Sequence, residues 1–315
     1  MNILYFEPLG RAWTRMKLAL FKPFDLHKWF IVGFNAFLAG LLAGHGGGSG
    51  SRAGGRGDDL SFNEFVRLPH RGWEWLMDNP GWFIGILFAL SFLICLGVAL
   101  HWVSSRGTFM FIDSVALNRA EIAKPWREKS REGNSLFVWR LVFSVVTFAG
   151  IILFLAVFFN GASYLYHTVH PGQVPLLFIV FMVLVFLIFL VMVGYISLFL
   201  TEFVAPLQFK HGLTTTQAWS RFLPLFRKHA FHFILFGFVW FILNFAVVMA
   251  IIFGVMMTCC IGLLILIIPY IGTVATLPIW YTLRAYTLEY LAQFGPEYDL
   301  FPEPVADELP AAAEA

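Results

Sequence analysis

LVFSVVTFAGIILFLAVFFNGASYLYHTVHPGQVPLLFIVFMVLVFLIFLVMVGYISLFLT, residues 141–201, contains no Asp, Glu, Lys or Arg. A helix needs ~20 apolar residues to cross a bilayer, so this run is long enough to cross twice. It is interrupted at YHTVHPGQVP (166–175), where Pro171, Gly172 and Pro175 punctuate a turn. Two outward-facing apolar helices joined by a short turn make a transmembrane hairpin, and the rest of the chain reads in the same terms.

Composition agrees with that reading. The 315 residues are 59% hydrophobic and only 13% charged, whereas a soluble domain carries nearly twice that charge. A net charge of +2 gives no argument for nucleic acid. Cys95, Cys259 and Cys260 sit in apolar surroundings and make no disulfide framework. Residues 1–28 are studded with charge and lack the apolar core and cleavage site of a signal peptide.

Further charge-free runs lie between Asp78 and Arg106 and between Lys228 and Arg284. With KWFIVGFNAFLAGLLAG (28–44), the chain predicts six spans: 28–44, 82–104, 136–160, 174–200, 231–256 and 262–284. Pro269 and Pro278 should kink the last one, or Pro269 ends a short re-entrant piece. Five basic residues precede the first span (Arg11, Arg15, Lys17, Lys22, Lys28). Six lie between the second and third (Arg106, Arg119, Lys124, Arg127, Lys129, Arg131), and four between the fourth and fifth (Lys210, Arg221, Arg227, Lys228). The opposite side has four arginines in loop 45–81, outnumbered by five acids. Both termini are therefore expected in the cytoplasm. Trp29, Trp82, Trp102, Trp139, Tyr164 and Tyr281 sit near span ends, where aromatic belts form.

Two short words repeat. AWTR (12–15) and AWSR (218–221) each stand before an outward-going span, with Trp126 of PWREKSR in the third such position. On a helix Leu9, Trp13, Met16 and Leu20 share one face with Arg11 and Arg15 opposite; Trp219, Phe222, Leu223 and Phe226 do the same. These read as basic amphipathic helices lying in the interface, anchored by Trp13, Trp126 and Trp219. Thr214 and Gln217 have capping-box spacing, and Pro224 should kink or end the second helix. The inward-going spans run into DSVA (113–116), EFVA (202–205) and EYLA (289–292). The expected fold is all-α: six transmembrane helices as three hairpins, with an internal repeat and interfacial helices.

The membrane domain covers 1–293, with loop 45–81 as a glycine-rich outer linker. Residues 294–315, acidic and proline-rich, read as a disordered cytoplasmic tail whose Phe294, Tyr298, Leu300 and Phe301 are exposed for a partner.

Chemistry is scarce. Arg140 and Arg284 lie about one turn into their spans, and Asp113, Glu202 and Glu289 emerge on the same side. Together they form a candidate polar cluster at the cytoplasmic mouth, read either as a solute site or as ordinary interfacial ion pairing. Asn35, Asn160 and Asn244 are expected to bond neighbouring helices, and Ala36, Gly40 and Gly44 to give a close-packing face. The pairs His167/His170 and His229/His232 have chelate spacing without a nearby carboxylate or thiol, so no metal, catalytic or cofactor-binding residue is assigned. No nucleophile-elbow, zinc-protease or phosphate-loop motif is present.

The segments SRGTFMFIDSVALNRAEIAKPWREKSREGNSLFVWRL (105–141) and PYIGTVATLPIWYTLRAYTLEYLAQFGPEYDLF (269–301) resemble a group of uncharacterised bacterial six-span integral membrane proteins. That group is distantly similar to the membrane domain fused to some glycerophosphodiester phosphodiesterases. The resemblance covers most of the chain and is weakest in the outer loop. It implies a six-helix bundle in the bacterial cytoplasmic (inner) membrane and implies no reaction. The function expected is that of a non-catalytic membrane scaffold or accessory protein, contacting lipids and a protein partner at its cytoplasmic face. A transporter or channel for a small solute or lipid is the alternative.

Overall fold

The computed structural model describes residues 3–41, 72–169, 175–258 and 261–301. These are helical throughout, apart from turns and one isolated bridge between Phe21 and Phe24. Loop residues 42–71, His170, Cys259, Cys260 and the tail from 302 lie outside the described residues, and with them most of the outer loop expected at 45–81.

Among the described residues, four helices are long and apolar enough to cross a membrane: α3 (Pro80–Ala116), α5 (Ser130–Tyr164), the continuous Leu176–His211 and α9 (Ala230–Met257). Their apolar side chains face outward instead of inward. Phe88 is 76% exposed and Leu177 81%, the reverse of a soluble core and what a hydrocarbon solvent asks for. At 1.5 Å per residue α3 is about 55 Å long, well beyond the ~30 Å hydrocarbon layer. It changes character on the way. From Ser104 onward every residue except Arg106 is buried in protein. The helix thus runs on to Ala116, where the sequence reading ended the span at 104.

The first expected span is a shorter object. Helix α1 (Glu7–Phe21) stops at Lys22, because a residue preceding proline is disfavoured in helical geometry. Asp25 then caps α2 (Leu26–Gly40), its Oδ1 accepting from His27 N–H at 2.8 Å. Trp29 Nε1 donates to Leu20 O at 2.8 Å and closes the corner. Fifteen residues make ~22 Å of helix, less than a bilayer core.

The last expected span, 262–284, is broken into α10 (Ile261–Ile267), α11 (Pro269–Ala275) and α12 (Leu277–Ala292). Ile268 is extended ahead of Pro269, and Pro278 opens α12. Between the long helices lie α4 (Ala123–Glu128) and α8 (Thr215–Lys228). Thr214 and Gln217 form the expected capping box, but α8 continues through Pro224 to Lys228.

The chain divides into two compact units. The first takes in residues 3–41, 102–137 and 198–301 of the described chain. Here α1 lies along α12, while α2 packs on α11 and α12. Leu176–His211 is α6 (Leu176–Phe199), a π turn at Leu200–Val204, and α7 (Ala205–His211). The core is aromatic: Phe109, Phe203, Phe222, Phe233, Phe236, Tyr286 and Tyr290 are all below 2% exposure. Gly107 lets α3 meet α2, since a Cβ there would stand 2.5 Å from Leu38 Cβ and 2.6 Å from Leu38 C. Asn35 bonds across this crossing as expected, Nδ2 donating to Ser114 Oγ at 2.9 Å. Asn160 and Asn244 instead donate to carbonyls four residues back on their own helices.

Within the second unit, 72–101 and 138–197, α5 and α6 pair through stacked rings. Phe154 and Phe186 stack at 4.7 Å, and Phe178 and Phe189 lie over Gly161 and Gly150.

The boundary expected at 294 also moves. Phe294 is 8% and Leu300 7% exposed, so neither is free for a partner. Lys210 Nζ donates to the carbonyls of Pro296, at 2.6 Å, and Asp299. Residues 302–315 of the expected tail lie outside the described residues.

Candidate functional site

The charged cluster expected at the cytoplasmic mouth resolves into separate pieces. Arg284 on α12 reaches Glu202 in the π turn, Nη1 to Oε2 at 2.9 Å, with both side chains 9% exposed. The same Nη1 donates to Thr201 O at 3.1 Å. The π turn makes this possible: its wider register, with Ala205 N–H bonded to Leu200 O, loosens the helical ladder at the point where Arg284 needs an acceptor. Phe111 flanks the pair, its ring centroid 6.0 Å from the guanidinium carbon.

Glu289, one helical turn and a residue further on, has different partners. It is 4% exposed and accepts from Arg15 Nε, with Arg11 Nε 3.7 Å from its other oxygen. These arginines come from the helix expected to lie in the interface, with Arg11 and Arg15 opposite the face of Leu9, Trp13, Met16 and Leu20. Helix α1 is rotated from that expectation: it buries Pro8, Ala12, Met16, Ala19 and Leu20 and leaves Trp13 49% exposed. The buried carboxylate on α12 sets the rotation. Two arginines at i, i+4 can meet it from one face only. A second clasp holds the segment before α1. Leu4 N–H donates to Gln293 Oε1 and Gln293 Nε2 to Leu4 O, both at 2.9 Å, while Tyr5 OH lies 2.7 Å from His232 Nδ1.

Asp113 is 5% exposed and, among the described residues, makes neither hydrogen bond nor ion pair through its side chain. The charges that act on it are Arg119, Glu121, Glu128 and Lys129 of the segment that follows α3. Arg140 belongs to the second unit. The structure thus brings Arg284 to Glu202 and supplies Glu289 from α1, a partner the sequence reading missed.

Of the expected interfacial anchors, Trp13 is exposed, and Trp126 and Trp219 are half-buried. Trp219 meets Phe222 edge-on at 5.8 Å and Trp126 meets Trp102 at 5.7 Å. Tyr281, expected in the aromatic belt, is 2% exposed, its OH donating to Val115 O at 3.4 Å. Among the described residues no group of three His, Cys, Asp or Glu could hold a metal ion. The pair His229/His232 is engaged with Phe294 and Tyr5, and the His167/His170 pair lies outside the residues whose side chains are described.

The arginines on Glu289 are half-exposed, so solvent screens them and their contribution is modest. In Arg11→Gln/Arg15→Gln, α1 is expected to loosen from α12 by ~1–2 kcal/mol. Amide hydrogen exchange over residues 7–21 then quickens about tenfold while exchange in α9 is unchanged. Unaltered exchange in α1 would show that packing of Ala12, Met16 and Leu20 alone holds the helix.

Among the described residues the arrangement is all-helical, with four membrane-length apolar helices and a packed, charge-paired unit. Residues 5–295 match the model of DUF7544, a family of unknown function, and the chain belongs to that family. Neither the curated proteins nor the solved structures contain a match to it.

Proposed function

We propose that the protein is a non-catalytic scaffold or accessory protein of the bacterial cytoplasmic membrane. It crosses six times as three hairpins, keeps both termini in the cytoplasm and offers its first unit to lipids and to a protein partner. One observation carries this reading. Arg284, Glu202 and Glu289, three of the charged groups expected at the mouth, are spent on internal bonds beneath a filled aromatic core, where a solute route would need them lining a cavity. Arg284 and Glu202 close on each other at 2.9 Å, and Phe203, Phe236 and Tyr290 fill the adjacent space. An open hollow beside α2, of about 430 Å³, is mostly apolar, lined by Phe30, Ile31, Phe34, Phe37, Ile122 and Tyr270 together with His27. It is a surface for acyl chains more than a path for a polar solute.

Topology supports the hairpins. The first unit holds the C-terminal end of α3, the N-terminal end of α5 and all of α7 and α9, and Phe203 of the π turn meets Phe233 and Phe236 at the N-terminal end of α9. Those ends therefore share one side of the membrane, and their loops carry the basic excess that marks the cytoplasm. The repeat has matching environments too. Ala12 and Ala218 are both fully buried beside an outlying tryptophan, and Asp113, Glu202 and Glu289 are 5%, 7% and 4% exposed.

Native mass spectrometry of the protein extracted gently from its own membrane tests the proposal. A stoichiometric protein partner, lost on deletion of 302–315 or on charge reversal at exposed Arg127 and Arg221, is expected. A lone chain retaining a solute that Arg284→Gln releases would replace the scaffold with a transporter.

A further inference from the structure

Arg106 is the one residue between Ser104 and Ala116 of α3 that is not buried, and its surroundings are unusual for a surface arginine. Its guanidinium carbon lies 4.5 Å from the Trp102 ring centroid and 5.0 Å from that of Trp126. The two rings stand at 90° to each other, 5.7 Å apart. Asn134 Oδ1 accepts from Arg106 Nε at 3.3 Å, Arg106 Nη2 at 3.1 Å and Trp102 Nε1 at 3.2 Å. Gly133 makes room for the stem, since a Cβ there would fall 2.9 Å from Arg106 Cγ. The guanidinium is therefore held in place by two indoles and an amide, with Nη1 unbonded. Among the described residues no carboxylate stands within ion-pair distance of it.

Its depth gives this meaning. The outward-facing apolar run of α3 ends at Trp102, and protein burial begins at Ser104. One turn past the end of a hydrocarbon-facing surface is the level of lipid phosphate, where indole rings prefer to sit. A fixed arginine with a free N–H edge and no acid recognises a phosphate oxygen strongly. Lys124, Arg127 and Arg131, all exposed on the neighbouring α4 and start of α5, add positive potential around it.

We propose that Arg106, Trp102, Trp126 and Asn134 form a headgroup site for an anionic phospholipid at the membrane boundary. The site holds the lipid phosphate against Arg106 and leaves the acyl chains to the surrounding bilayer. It stands whether or not the protein recruits a partner, because it uses none of the groups in the scaffold reading's test except the basic character of Arg127.

The full-length protein in detergent, titrated with phosphatidylglycerol or phosphatidylcholine and read by native mass spectrometry, tests it. Wild type is expected to retain one phosphatidylglycerol in clear preference to phosphatidylcholine. Arg106→Gln should weaken that retention about tenfold, while Arg227→Gln, the same charge loss elsewhere, changes it less than twofold. Trp126→Leu keeps the charge and removes one ring; a loss of about two- to fivefold is expected from the cation–π contact. It serves if Arg106→Gln fails to fold. Equal retention of the two lipids, or phosphatidylglycerol retention in Arg106→Gln equal to wild type, would overturn the proposal. So would displacement of the lipid by millimolar inorganic phosphate or glycerol phosphate, which would assign the site to a soluble phosphate instead.

Discussion

Arg284→Met is expected to lower the stability of the folded protein in detergent by about 3–5 kcal/mol, read as the shift in its chemical or thermal unfolding transition. The reason lies in what remains. Glu202 keeps its place in the π turn, 7% exposed, with the Arg284 guanidinium gone. A carboxylate so placed must either stay charged without its arginine or take up a proton. The companion change separates this from loss of shape. In Arg284→Met/Glu202→Leu no charge is stranded, and most of the lost stability should return, because a buried ion pair contributes little over apolar residues of similar volume. If the double variant is as unstable as the single one, the pair does more than neutralise itself.

Phe203→Ala comes next, at about 3–5 kcal/mol. Phe203 is wholly buried and is the ring at which the aromatic core converges: parallel to Phe222 at 5.7 Å, edge-on to Phe233 at 5.0 Å, and 5.0 Å from Phe236. It comes from the π turn, whereas its neighbours come from α8 and α9, so removing it opens a cavity between three elements that cannot close together. Phe88→Ala is the contrast. That ring is 76% exposed on the apolar part of α3, and its loss should change the unfolding transition by less than ~1 kcal/mol. Equal effects at the two positions would mean that the outward surface of α3 is itself an interface.

The long helices were legible because charge-free runs bounded by basic residues have a single inexpensive solution in a membrane. The prolines were legible for the same sort of reason: Pro269 and Pro278 lack an N–H and restrict their predecessors, and the last expected span breaks at both. The first unit was not legible. A sequence reader sends arginine to solvent or headgroups, yet Arg15 and Arg284 turn inward to acids 274 and 82 residues away. Nothing local to either arginine names its partner. The same applies to α3 past Ser104, where TFMFIDSVA looks like the end of a span and is the core of a protein unit. Phe294 and Leu300 looked exposed because the acids and prolines around them suggested a solvated tail, and Lys210 holds that segment in place through backbone carbonyls that no side-chain pattern reveals. For the candidate site, the words beginning at Asp113, Glu202 and Glu289 drew attention to three acids, and their burial and their partners had to come from the fold.

The proposed topology puts positions 17, 119 and 227 on the cytoplasmic side of the membrane. Labelling of single cysteines with an impermeant maleimide, in a background lacking Cys95, Cys259 and Cys260, tests this most directly. Cysteines at positions 17, 119 and 227 are expected to react in inside-out vesicles and to be protected in right-side-out ones, with position 172 showing the opposite pattern. Reaction of 119 and 227 from opposite sides, or of 172 from the same side as both, would contradict the account.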